Sequence, residues 1–476
     1  MQQDILAFID GQWCAGASNR FAPVVSPATG QAIARLALVD TADLDRALAA
    51  AERGFQVWRA TSPLDRARLL RHAADILRGR AEEVARAMTL EQGKPLAESR
   101  AEVAGSADLL DWYAGEAQRT YGRVIPARNP AVRQLVIKEP VGPVAAFTPW
   151  NFPVSQAVRK VAPALAAGCS IILKGPEDTP GSCAAFVQAL ADAGVPAGVV
   201  NLVYGVPAEV SEYLIPHPVI RKISFTGSTA VGKHLAMLAG LHMKRATMEL
   251  GGHSPVIVCE DADLDHAVRT LVAAKYRNAG QVCIAPTRFL VQETVYDRFV
   301  EDFVAGARAI TVGDGLDAGT QMGPLASLRR VEAMEALIAD AVAKGGRVRT
   351  GGSRIGNTGC FFEPTVLTDV PTDAVAMNDE PFGPVALMMP YRTLDDAFAE
   401  ANRVTYGLAS YAFTRATAKA QRIAAALEVG SLTVNHYGLA LPEVPHGGVR
   451  DSGYGSEGGP EAMEAYLYNK FVTQME

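Results

Sequence analysis

Cys283, in Asn278-Ala279-Gly280-Gln281-Val282-Cys283, and Glu249, in Met248-Glu249-Leu250-Gly251-Gly252, are the residues of this chain whose types and setting best suit chemistry. A thiolate adds to a carbonyl, and a carboxylate activates the water that later releases the acyl group. On residue type alone Cys283 reads equally as a small buried hydrophobe, which is the better reading of Cys14, Cys169, Cys183, Cys259 and Cys360. Its surroundings separate it from them: Asn278, Gly280, Gln281 and Pro286 are poor core residues, and a glycine near a thiol lets a substrate approach the backbone. Glu249 is either a solvated carboxylate or, between Met248 and Leu250, a partly desolvated one with its pKa raised toward that of a general base.

Asn151 lies between prolines in Pro149-Trp150-Asn151-Phe152-Pro153, so its backbone is confined. It reads as a turn asparagine or as an amide donor to a developing oxyanion. The run Phe225-Thr226-Gly227-Ser228-Thr229-Ala230-Val231-Gly232 follows a strand and opens a helix, where backbone N–H groups hold phosphate. The single G-x-G-x-x-G match, Gly453 to Gly458, is too close to the C-terminus for a dinucleotide-binding βαβ unit. Lys174 and Glu177 stand just beyond a strand, where a carboxylate accepts hydrogen bonds from ribose hydroxyls and repels a 2′-phosphate, which favours NAD over NADP.

These residues need elements to carry them. Residues 41–120 carry helical periodicity, as in Thr41 to Ala60 and Leu64 to Met88. From Val141, short apolar runs at Val144–Phe147, Ser170–Leu173, Val199–Tyr204 and Lys222–Phe225 alternate with helices, one starting at Thr179 and Pro180, and imply a parallel sheet covered on both faces. A second α/β unit holds strands Pro255–Cys259 and Thr287–Val291 and a helix capped by Asp261 or Asp263, which puts Gly280 to Cys283 on a loop. Gln134–Lys138 and Leu467–Thr473 read as exposed strands suited to pairing with another chain.

The chain's 476 residues exceed what one core accommodates, so two large domains and an appendage are expected. A net charge of −6 supplies no basic face for nucleic acid. Six scattered cysteines without C-x-x-C spacing point to neither a metal site nor a disulfide framework, and a reducing cytoplasm fits. No window is apolar enough to span a membrane, and Met1 to Asp4 does not open a signal peptide.

Taken in order, Pro-Trp-Asn-Phe-Pro at 149–153, Lys174 with Glu177, Phe-Thr-Gly-Ser-Thr at 225–229, Met-Glu-Leu-Gly-Gly at 248–252, Gly-Gln-Val-Cys at 280–283, Glu380-Pro381-Phe382-Gly383-Pro384, and Gly447-Gly448 through Ser452-Gly453 resemble the aldehyde dehydrogenase superfamily over essentially the whole length. The resemblance implies an α/β fold: a Rossmann-like cofactor domain (1–120 and 141–248), a catalytic domain (249–458) and a β arm (121–140 and 459–476) that joins subunits into dimers or tetramers. It implies that Cys283 is the nucleophile, that Asn151 and the Cys283 N–H form the oxyanion hole, and that Glu249 is the deacylating base, with Lys160 and Glu457 near its proton route. For the cofactor, NAD or NADP, it implies Trp150, Lys174, Glu177, Gly227, Ser228, Gly232, Glu380 and Phe382.

Within the superfamily the chain is most similar to the branch oxidising carboxylate-bearing semialdehydes, such as succinate and α-ketoglutaric semialdehyde, and Arg159 and Arg277 match its carboxylate-binding arginines. It departs from that branch at Ala440 and Leu441, where a serine is common, and at His446, where an aromatic residue is usual. Ile284 and Ala285 offer no second cysteine for a redox disulfide. A broad-specificity aldehyde dehydrogenase and a non-catalytic protein retaining the fold are the alternatives. A CoA-acylating relative fits Glu249 poorly, and a cysteine hydrolase lacks a histidine partner.

Overall fold

The computed structural model describes residues 3–475; Met1, Gln2 and Glu476, the outermost residues of the expected segments, lie outside them. The first of two large sheets contains five parallel strands in the spatial order Arg245–Glu249, Lys222–Thr226, Val144–Phe147, Ile171–Lys174, Val200–Val203. These strands are apolar runs because helices cover both faces, leaving no face for polar alternation. From Val144–Phe147 the chain first winds to one side, through Ile171–Lys174 and Val200–Val203, and then to the other, through Lys222–Thr226 and Arg245–Glu249. The winding reverses beside Val144–Phe147, and open α/β sheets form their crevice at the carboxyl ends of strands at such a point.

The second sheet has six parallel strands, in the order Thr365–Thr368, Val385–Tyr391, Pro286–Gln292, Ser254–Val258, Ala409–Phe413, Ser431–Val434, with Arg347–Thr350 antiparallel at one edge. The expected strands in both sheets are present, with ends shifted by a residue or two. The helix Leu264–Tyr276 is capped by Asp263, whose side chain accepts from the His266 N–H. Arg277, expected on that helix, instead opens the 3₁₀ turn Arg277–Gly280 that follows it. The single helix expected over 64–88 is two, Pro63–Gly79 and Ala81–Gln92, with the break at Arg80 after a helix-weakening glycine.

Val132–Pro140 and Leu467–Met475 pair with each other along their whole lengths, and Arg123–Ile125 completes that three-stranded sheet. The strands before residue 40 were not foreseen. Ala7–Ile9 and Gln12–Cys14 form a hairpin on the edge of the first sheet, turned by Asp10 and Gly11 at φ 52° and 81°. That Asp-Gly pair is the readable signal, since a type I′ turn needs positive φ at both positions.

The helix Thr41–Ala60 lies so close to the turn before Val200–Val203 that a methyl on Gly54 would stand 2.3 Å from the Gly198 carbonyl carbon. Gly54→Ala gains about 1 kcal/mol of helix propensity. The overlap is with backbone, which no rotamer relieves, and overpacking of this kind costs about 1–3 kcal/mol. The cost should win: the expected outcome is a lower urea midpoint at unchanged slope.

Candidate active site

At the carboxyl ends of Val144–Phe147 and Lys222–Thr226 the chain leaves the first sheet as Pro149-Trp150-Asn151 and Gly227-Ser228. These residues line a cavity of about 390 Å³ together with Leu250, Gly251, Cys283, Arg329, Arg330, Glu380, Phe382 and Tyr406. A second cleft of about 560 Å³ shares Pro149, Thr226, Gly227, Ser228 and Ala230 with it and continues past Lys174, Pro207 and Glu212. The two form one groove across the switch point.

The groove's chemistry suits a dinucleotide. Ser228 is exposed at the start of the helix Thr229–Leu241 and makes no capping bond of its own, so the first-turn N–H groups face the groove unblocked. Lys174 and Glu177 are ion-paired at 2.5 Å beside the outer cleft. At the inner end the Glu380 carboxylate accepts from the Gly252 N–H at 3.0 Å, and burial pushes its pKa up to about 7. Phe382 meets Trp150 edge to face at 5.6 Å, and its backbone carbonyl accepts from Arg330 at 3.0 Å. Gly232 lines neither cavity; it allows the helix to lie against Leu250, whose side chain a methyl would meet at 2.2 Å.

Cys283 reaches this cavity from the second sheet's side. The turn before it holds three consecutive left-handed residues, Asn278 at φ 47°, Ala279 at 52° and Gly280 at 71°. For a non-glycine residue that conformation costs about 1–2 kcal/mol. The Asn278 N–H donates to Glu98, and the Gln281 side chain bridges the Asn278 carbonyl and the Ala326 N–H. The Asn151 amide donates to the Gln281 carbonyl at 3.1 Å. An amide nitrogen carries two protons, so one remains free. The Cys283 N–H donates to no acceptor among the described residues. Two donors thus remain for an oxygen beside the sulfur.

Glu249 ends its strand fully inside the protein, with neither carboxylate oxygen hydrogen-bonded. Burial first and the Glu457 carboxylate second push its pKa well above the usual range, partly offset by Lys160 and Arg159. The Cys283 thiol is pushed up to about 12 by burial, then by Glu380 and Glu249. Behind Glu249, Lys160 bonds Glu457 and donates to Thr226 Oγ1 at 2.6 Å, and Ser224 donates to Glu457 at 3.3 Å.

Arg159 is buried on the helix Pro153–Ala167, donating one guanidinium nitrogen to the Ala440 carbonyl at 3.2 Å while Nη1 stays unpartnered. Arg277 lies over the Phe152 ring at 4.9 Å, and its backbone N–H donates to the Ala273 carbonyl while its guanidinium makes no hydrogen bond among the described residues. It lines a separate hollow with Glu98, Arg269 and Tyr276 rather than the cavity at Cys283. Tyr411 and Tyr437 stack at 5.2 Å between these groups, and the buried Tyr437 hydroxyl has no partner. Sequence reasoning passed over Arg330, which holds the Pro381 and Phe382 carbonyls, and the buried Lys94, which reaches the Asn151 carbonyl. Arg330 had no readable signal, and Lys94 sits in a helix-terminal Gly-Lys-Pro whose role depends on residues far along the chain.

Fold and site together define an oxidoreductase of the aldehyde dehydrogenase class, an enzyme that uses NAD or NADP on an aldehyde. The aldehyde dehydrogenase family pattern matches residues 13–472, and the chain belongs to that family. It is 52% identical over 464 residues to the 4-(hydroxymethyl)benzenesulfonate dehydrogenase TsaD1 of Comamonas testosteroni, covering 98% of this chain and 97% of that one. It is 42% identical over 467 residues to the glutarate-semialdehyde dehydrogenase of Pseudomonas aeruginosa, covering 98% and 96%. The crystal structure of succinate-semialdehyde dehydrogenase from Burkholderia pseudomallei superposes with a TM-score of 0.97 at 40% identity, covering 99% and 98%.

With its pKa near 12, the Cys283 thiol is protonated at neutral pH, and its thiolate fraction rises about tenfold per pH unit. Alkylation by iodoacetamide without cofactor, followed by mass spectrometry against a Cys283→Ser control, should climb by that factor between pH 7 and 8 and again between 8 and 9. A plateau below pH 9 would contradict the buried, charge-opposed setting.

Proposed function

We propose that this enzyme oxidises an aldehyde bearing a fixed negative charge, succinate semialdehyde or α-ketoglutaric semialdehyde, to the acid through a Cys283 thioester. The observation that carries the reading is that Cys283 and Asn151 line one cavity of the groove, with Glu249 close enough to raise the thiol's pKa. Cys283 gives up its proton to solvent and, as thiolate, forms the S–C bond, and the carbonyl oxygen's charge is held by the Asn151 amide and the Cys283 N–H. Bound NAD(P)⁺ would supply the hydride acceptor that turns this adduct into the thioester. Glu249 then takes a proton from the attacking water, and Cys283 leaves as thiolate. The Lys160–Glu457 pair relays that proton outward.

Trp150, Gly227, Ser228, Glu380 and Phe382 would hold the pyrophosphate and nicotinamide ends, and Lys174 and Glu177 the adenosine ribose. Gly232 serves by letting the phosphate-binding helix approach. The Glu177 carboxylate favours NAD, because a 2′-phosphate would be repelled there. In this reading residues 1–120 and 141–248 bind cofactor, 249–458 carry the nucleophile, and 121–140 with 459–476 form an arm. The arm's outer strand, with Phe471 and Met475 exposed, would join two copies of the chain.

The negative charge on the substrate is supported by two arginines with unspent donors, Arg159 and Arg277, and by the glutarate-semialdehyde relative. A second reading, an aromatic aldehyde bearing a sulfonate, is favoured by the rings of Phe152, Tyr411 and Tyr437 and by the benzenesulfonate relatives. Sulfonate and carboxylate both accept a guanidinium fork.

NAD(P)H formation with succinate semialdehyde, α-ketoglutaric semialdehyde, 4-formylbenzenesulfonate, benzaldehyde and hexanal, each with both cofactors, separates the readings. Higher kcat/KM for an anionic substrate, lost by about 10–100-fold in Arg277→Met and Arg159→Met, is expected from the worth of a charged hydrogen bond. Equal use of the neutral aldehydes would sink the anion claim. Glu249→Gln should give a burst of one NAD(P)H per site and then a steady rate lower by about 10²–10⁴-fold, as for loss of a general base.

A further inference from the structure

We propose that Lys94, with Glu102 as its counter-ion, is a positioning residue that holds Asn151 against the Cys283 loop. The inference rests on the reading of Asn151 as an oxyanion donor. Lys94 follows the helix Ala81–Gln92 and is almost completely buried, a costly place for an ammonium unless every proton is used. Its Nζ donates to Glu102 Oε2 at 2.6 Å and to the Asn151 carbonyl at 2.7 Å, and it lies 4.0 Å from the centre of the Phe152 ring. Two hydrogen bonds and a cation–π contact thus fall on Glu102, Asn151 and Phe152.

Glu102 extends the hold. Its other oxygen accepts from the Val154 and Ser155 N–H groups at 3.0 and 3.1 Å, capping from outside the helix that carries Arg159 and Lys160. A closed ring of hydrogen bonds then reaches the nucleophile's loop. The Lys94 N–H donates to Gln92 Oε1, Gln92 Nε2 donates to Asn278 Oδ1, and Asn278 Nδ2 returns to the Asn151 carbonyl at 3.0 Å. Asn278 is the first of the three left-handed residues leading to Cys283. One ring therefore joins the end of a helix near residue 92, the donor at 151 and the strained turn at 278, and none of its other members touches the Cys283 cavity. Its arrangement fixes the distance between donor and sulfur, and an error of about 1 Å there costs about 10²-fold in rate.

The test compares Lys94→Met, the doubly neutralised Lys94→Met/Glu102→Gln, and Gln92→Leu, which opens the ring without stranding a charge, each alone and combined with Asn151→Ala. Readouts are kcat with the best aldehyde from the panel above, NAD binding by fluorescence, and Cys283 alkylation by iodoacetamide, which needs no oxyanion donor. Asn151→Ala alone should lower kcat by about 10²–10³-fold. The Lys94 variants should lower kcat by about 10²-fold while NAD affinity and alkylation stay within about twofold, and on the Asn151→Ala background they should add less than about threefold. Gln92→Leu should show the same non-additivity, and it decides the matter if the Lys94 variants do not fold. Unchanged kcat, or losses that multiply with that of Asn151→Ala, would overturn the clamp and leave the donor reading standing. Full activity in Asn151→Ala would overturn both.

Discussion

Two hydrogen bonds cross between the α/β sheets at the point where chemistry is possible: the Asn151 amide to the Gln281 carbonyl, 3.1 Å, and the Asn278 amide to the Asn151 carbonyl, 3.0 Å. Asn151 belongs to the turn that leaves the first sheet at its switch point, and Gln281 to the loop that delivers Cys283 from the second. Everything in the site depends on that crossing. If the sheets moved apart, the sulfur would lose its nearest amide and the groove would lose one wall. The surrounding bonds from Lys94, Gln92 and Asn278 are buried, and in a low-dielectric interior such bonds are both stronger and harder to break singly.

The second constraint is electrostatic. Burial raises Cys283, Glu249 and Glu380 alike; Glu380 and Glu249 raise the thiol further, and Glu457 raises Glu249. Near neutral pH the thiol therefore holds its proton in the resting protein. Lys160 pairs with Glu457 behind Glu249, and Glu457 Oε2 stays without a hydrogen-bond partner among the described residues.

Substrate choice is written on a third set of groups, and the family relationship leaves it open. The relatives include enzymes named for a carboxylated aliphatic and for a sulfonated aromatic compound, and both named compounds carry an anion. Tyr437, stacked on Tyr411 at 5.2 Å, precedes Ala440 and Leu441, which offer no hydroxyl.

Much of this was legible along the chain. Buried strands are short apolar runs, a helix start needs an Asp263 or a Pro180, and a Gly-Ser after a strand opens a phosphate-binding turn, all of which are local chemistry. The motifs around Asn151, Glu249 and Cys283 are likewise local, because tight turns demand particular residues. Residues 64–88 are periodic throughout, yet the helix breaks at Arg80 after Gly79, a weak helix former that periodicity alone passes over. Two matters lay beyond local reading. Arg277 follows a helix pattern but opens the turn behind it, apart from the Cys283 cavity. Lys94 carried no local signal, because its role depends on Asn151, which it bonds, and on Asn278, which bonds the same carbonyl, both far along the chain. The sequence by itself determined which residues have the chemistry and which turns present them. Only the tertiary structure decided which charges lose water and which partners they meet, because burial and pairing join groups from opposite ends of the chain.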